Sequence, residues 1–134
     1  ETLLDMEKCM KTLRKANIPA IAYFIVGLPG ETFRHVIKSF GFALKYADII
    51  QEAYFFNIFP VYGTELYNWA SLNNYLKISE NELFNLSYAK DEIIVSTPEL
   101  PVYKRKILLS LSQTLIKIIQ HKLTKKIAKK FRGK

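Results

Sequence analysis

Few side chains in this sequence could carry chemistry, and their spacing excludes more than it allows. Cys9 is the single cysteine among 134 residues, so neither a disulfide framework nor a multi-cysteine metal site is available. His35 and His121 have no partner at metal-ligand spacing and read as surface side chains. No nucleophile motif is recognisable, and Glu52 and Glu65 stand too far apart in sequence to be argued into an acid–base pair. What remains is the chemistry of cradling a ligand. "FIVGLPGET", residues 24–32, runs an apolar stretch into Gly27, Pro29 and Gly30, and then into a patterned helix. "NIFPVYGTELY", residues 57–67, repeats the arrangement with Gly63 and Thr64. A glycine in such a turn lets backbone or ligand approach closely, and the following helix start offers free N–H groups. Asn57 falls near the end of the second apolar run, an odd place for an amide unless something hydrogen-bonds it. A plainer reading stands beside this one: the glycines only shape tight turns, and Asn57 bonds a neighbouring loop. Neither the G-x-G-x-x-G fingerprint nor a P-loop lysine is present, so nothing here argues for a nucleotide phosphate.

The elements that must position these turns alternate between helix and strand. Leu3, Met6, Met10 and Leu13 form one helical stripe, with Cys9 on the same apolar side and therefore expected as a buried structural thiol. Asn17 suits a left-handed helix stop, and Pro19 blocks continuation. Residues 20–26, "AIAYFIV", are apolar throughout and predict a parallel-sheet strand buried on both faces. Phe33, Val36, Ile37, Phe40, Ala43, Leu44 and Ala47 recur at helical spacing, and residues 49–59 read as a second buried strand. Tyr54, Phe55, Phe56 and Phe59 are expected in the core. Thr64 should cap a helix running through Leu72, and Ser79 with Glu82 forms a capping box for one over residues 80–89. Residues 93–98 suit a short strand or extended connector. A long helix is predicted over residues 102–131, with Leu108, Leu111, Leu115, Ile119, Leu123 and Ile127 along one side. The class is α/β, built from βα repeats with right-handed crossovers.

Charge is divided unevenly. Residues 1–99 hold nine Lys/Arg against twelve Asp/Glu, or −3, whereas residues 100–134 hold eleven Lys/Arg and no acid, or +11. No eighteen-residue apolar run would span a bilayer, and residues 1–10 lack the features of a secretion signal; with a single cysteine and no disulfide framework, the expectation is a cytoplasmic protein.

Taken together, "LRKANIPAIAYFIVGLPGET" and "FFNIFPVYGTELY" resemble the later strands of a radical S-adenosylmethionine (radical SAM) enzyme, of the class in which a cobalamin-binding region often precedes the radical domain. The resemblance covers roughly residues 3–70, and residues 93–131 look like the segment that often closes such chains. It implies an incomplete (β/α) TIM-type partial barrel, with these as its fifth and sixth strands, plus a C-terminal basic helix. The corresponding divisions are 1–76 for the βα units, 77–101 for a connecting segment and 102–134 for the basic helix. In the family the first turn packs against the adenosyl part of the cofactor, which carries over to Ile25, Gly27 and Pro29, with Glu31 near the rim. The end of the next strand implicates Asn57, Phe59 and Pro60, and Tyr23 would line the barrel. Two positions depart from the pattern: Asn17 stands where glycine is usual, and Tyr62 where a second proline is usual.

The larger departure is the C-x-x-x-C-x-x-C loop that holds the family's four-iron four-sulfur cluster, for which Cys9 alone is no substitute. The resemblance therefore implies part of a domain, with no catalytic or metal-binding residue of its own. The first four strands, the cluster and any cobalamin region would belong to a missing N-terminal half or to a partner. Full-length family members cleave S-adenosylmethionine reductively, some for methyl transfer; this chain alone is expected to be silent. The rival from another class is a non-catalytic α/β module docking to an anionic membrane or acidic partner through residues 104–134, where Phe131 could enter lipid. A third reading packs that helix on a barrel's outside with its lysines solvated. No aromatic interleaving supports nucleic-acid binding.

Overall fold

A computed structural model describes residues 2–85 and 93–132. The described residues form a mixed α/β structure with the order α1 (Leu3–Ala16), β1 (Ala20–Val26), α2 (Phe33–Lys45), β2 (Ile50–Asn57), α3 (Glu65–Leu72), α4 (Glu80–Asn85) and α5 (Val102–Arg132). Local chemistry sets most boundaries. Thr2 and Asp5 cap α1 reciprocally, Thr2 N–H donating to the Asp5 carboxylate at 2.9 Å and Asp5 N–H to Thr2 Oγ1 at 3.3 Å. The helix stops at Asn17, which is left-handed at φ 56°, and Ile18 N–H then closes on Leu13 O at 2.9 Å. Thr64 caps α3 through Tyr67 N–H, and Ser79 and Glu82 form the expected reciprocal pair on α4. Residues 86–89 of the helix expected there lie outside the described residues.

β1 and β2 form a two-strand sheet. Ala20 N–H donates to Ile49 O at 2.9 Å where both strands begin, and Ile58 N–H to Val26 O at 2.8 Å where both end. Start pairs with start and end with end, so the strands are parallel and α2 is their crossover. Residues 93–98 contribute an isolated antiparallel bridge between Leu76 and Val95.

The chain divides into two compact units. One comprises Glu1–Phe24, Ile37–Tyr54 and Leu111–Lys134. Within it Tyr46 is fully buried, with the Arg14 guanidinium 4.7 Å above its ring. Arg14 also donates to Lys45 O at 2.7 Å and pairs with Asp48 at 2.5 Å, while Lys45 pairs with Glu7 at 2.6 Å. These ion pairs are partly exposed, so solvent screens them and they add little to stability. The other unit comprises Ile25–Val36 and Phe55–Ser110. Its core gathers Ile58, Tyr67, Ala70, Leu83, Ile94 and Val95, with Phe59 and Trp69 among the side chains packed on them.

Three expectations about burial need correcting. β1 is not buried on both faces: Ile21, Tyr23 and Ile25 are exposed in alternation while Val26 is buried, and on β2 Tyr54 and Phe56 are exposed while Ala53 and Phe55 are buried. No second layer among the described residues covers the open side chains, although Tyr23 and Tyr54 stack at 5.2 Å between centroids. On α1, Met10 is buried but Leu3, Met6 and Cys9 are exposed, because the helix makes a narrow contact and Cys9 is one step of about 100° away from Met10. Among the described side chains of α5 the buried seam is Arg105, Leu108, Ser112, Leu115 and Ile119, and Leu111 lies off it; the side chains of Leu123 and Ile127 lie outside the described ones.

Candidate functional site

The turn after β1 is built from its own short-range bonds. Leu28, Pro29, Gly30 and Glu31 make a four-residue turn closed by Glu31 N–H to Leu28 O at 2.9 Å, with Gly30 at φ +73°. Proline at the second position and a positive φ at the third are the marks of a type II turn. Thr32 then starts α2: its Oγ1 accepts from His35 N–H at 3.4 Å, and His35 Nδ1 accepts from Thr32 N–H at 3.3 Å. His35 is thus a surface capping residue.

Gly27 lies at the centre of this arrangement. It is buried, with φ +100°, and its N–H donates to Glu31 Oε2 at 2.5 Å. Its carbonyl accepts from Arg105 Nη2 at 3.4 Å, while Arg105 Nε donates to Leu100 O at 3.2 Å. Arg105 is fully buried, and its Nη1 has no hydrogen-bond partner. Burial pulls the guanidinium below its usual basicity, and the negative charge of Glu31 pulls it partly back. Glu31 and Arg105 therefore hold the same residue from its amide and carbonyl sides. A Cβ on Gly27 would meet Arg105 Cζ at 2.3 Å, so the space that glycine vacates is filled by the protein's own arginine. At Gly30 and Gly63 the corresponding space is open.

The other residues singled out from sequence fall into different settings. The Ile58–Val26 bond brings the ends of both strands side by side, which puts Gly27 and Asn57 at adjacent strand ends. Asn57 is half-buried, and both its Oδ1 and its Nδ2 are covered without a hydrogen-bond partner. An unpaired buried amide costs on the order of 1–3 kcal/mol, so this side chain is underused by the fold around it. Ile25 and Pro29 are exposed. Phe59 leans on the apolar cluster of its unit, and Pro60 is fully buried. Ile25, Gly27, Pro29 and Asn57 are thus gathered at the strand ends, whereas Phe59 and Pro60 serve packing.

Arg105 escaped the sequence reading, which treated every cation after residue 100 as part of a basic surface. A signal was present: residues 105, 108, 112, 115 and 119 follow the three-and-four spacing of one helix face, and an arginine on a buried face needs acceptors.

The Asn57 carboxamide keeps a donor and an acceptor without partners, the pair of groups an adenine edge would use, although both atoms are covered. An iron–sulfur cluster does not fit. Cys9 is exposed on α1, and no group of three or more His, Cys, Asp or Glu side chains among the described residues could hold a metal ion. No protein-family model matches the chain, and no curated protein matches its sequence.

Proposed function

We propose that this chain supplies the adenosine-facing rim of a radical S-adenosylmethionine partial (β/α) barrel, with the cluster ligands provided by other polypeptide. The observation that carries the reading is the Asn57 carboxamide, covered yet unpaired at the carboxyl end of β2. Ligands of parallel sheets gather at that end. Two further features support it. The strands are parallel and end together, as the fifth and sixth strands of such a barrel must. One side of each strand also leaves apolar side chains open, among them Tyr23 and Ile25, as expected for residues facing a barrel lumen.

In this reading Ile25 and the Gly27 backbone pack against the adenine from the open face of the sheet, and Asn57, which alternation puts on the covered face with Ala53 and Phe55, meets its edge from beyond the end of β2. Glu31 and Arg105 hold the Gly27 turn in shape and stay out of the ligand's way. The chain by itself cleaves no S-adenosylmethionine.

The test is a nuclear magnetic resonance titration of the labelled chain with adenosine and S-adenosylmethionine, with uridine as control. Shifts confined to Gly27, the Asn57 side-chain amide and Ile58, lost in Asn57→Leu, are expected. No adenosine response at millimolar ligand, or equal response to uridine, would sink the reading. Upstream DNA encoding three closely spaced cysteines is the matching genetic expectation. Reductive cleavage of S-adenosylmethionine by the isolated, iron-reconstituted chain would contradict the assigned role.

A further inference from the structure

We infer that the outer face of α5 docks on an anionic lipid surface. α5 carries a second apolar stripe in addition to its buried seam. Tyr103, Ile107, Leu111 and Ile118 are 62%, 50%, 43% and 43% exposed, values too high for side chains in a packed interface. At about 100° per residue they fall within a sector of about 80°. The stripe runs about 22 Å along the axis, from the 1.5 Å rise per residue. The buried residues Arg105, Leu108, Ser112, Leu115 and Ile119 lie on a different sector, centred about 120° away.

Lysines border the bare stripe on both sides. Lys104 and Lys122 fall on one flank, Lys106 and Lys117 on the other, and all but the half-buried Lys104 are exposed. Residues 100–134 contain no acid at all, and among their cations Arg105 is spent inside the fold.

Charge and apolarity together choose the occupant. A second copy laid on this face would set lysine against lysine. A nucleic-acid backbone would use the lysines but leave the apolar stripe in water. A bilayer surface rich in anionic lipid satisfies both, taking the stripe into the acyl boundary and the ammonium groups among the headgroups. No helix among the described residues is long and apolar enough to cross a membrane, so α5 would lie in the interface.

Flotation of the full chain with phosphatidylcholine vesicles, with and without phosphatidylserine, tests this. Binding is expected only with phosphatidylserine, and should be lost in about 1 M salt, where the screening length shrinks to about 3 Å. Ile107→Gln with Ile118→Gln should weaken vesicle binding at least about tenfold, with an unchanged far-ultraviolet circular dichroism spectrum. Lys106→Gln with Lys117→Gln should weaken it about thirtyfold at low salt, from about 1 kcal/mol per surface lysine. Failure to bind phosphatidylserine vesicles overturns the inference. So does binding that ignores the isoleucine pair and is competed away by duplex DNA, or a self-association that the isoleucine pair abolishes in vesicle-free solution. None of these results depends on whether the strand-end site takes adenosine.

Discussion

The guanidinium of Arg105 occupies the position where a side chain on Gly27 would begin, 2.3 Å from an ideal Cβ. The two residues are 78 positions apart, and the contact ties the turn after β1 to the first turn of α5.

Gly27→Ala should destabilise the chain by about 2–3 kcal/mol, from left-handed backbone strain plus displacement of a buried, hydrogen-bonded cation. Made in an Arg105→Ala background, the same substitution should cost at least about 1 kcal/mol less. Urea denaturation of the four proteins of this cycle measures the coupling. Strict additivity would show that the guanidinium does not fill the glycine's space.

Asn57→Leu should separate stability from binding. The side-chain amide makes no hydrogen bond in this structure, so a leucine with the same branching should raise stability by about 1 kcal/mol while removing the adenosine response. A loss of stability on chemical denaturation would mean that the carboxamide has a structural partner after all.

Tyr46→Phe follows the same logic in the other unit. The Tyr46 hydroxyl is buried without a partner, and the Arg14 contact is to the ring, which phenylalanine keeps. The thermal midpoint should hold or rise slightly, by the equivalent of about 0.5–1 kcal/mol. A drop would reveal a bond to the hydroxyl.

Acid should loosen the fold through three carboxylates. Asp5 is held below its ordinary pKa first by the Thr2 backbone N–H, Glu7 by its hydrogen bond from Lys45, and Glu82 by the Ser79 backbone N–H. A depressed carboxylate stabilises the fold above its unfolded pKa of about 4, and that contribution vanishes as pH falls through the lower folded value. The thermal midpoint should therefore fall between about pH 5 and pH 2. A variant carrying Asp5→Asn, Glu7→Gln and Glu82→Gln should show a flatter acid limb. An unchanged slope would assign acid sensitivity elsewhere.

Much of the fold was legible because its signals are local. The left-handed stop at Asn17, the Thr64 cap and the Ser79–Glu82 pair each depend on neighbours within four or five residues. The alternation of elements was legible for the same reason. Burial was read less well, because an apolar pattern says that a face can be buried and not what is present to bury it. Ile21, Tyr23 and Ile25 form such a face with no cover among the described residues, and Leu3 and Met6 are similar. The candidate site divided along the same line. Asn57 stood out as an amide in apolar surroundings, whereas the role of Arg105 depends on a carbonyl on the far side of the sequence.

Among the described residues the sheet has two strands and no third, so both strands lie at its edges. The β1 segment "AIAYFIV" contains neither a charge nor a proline to discourage templated growth. At high protein concentration the chain should seed fibres from this segment, with a rise in thioflavin-T fluorescence that Ile21→Lys suppresses.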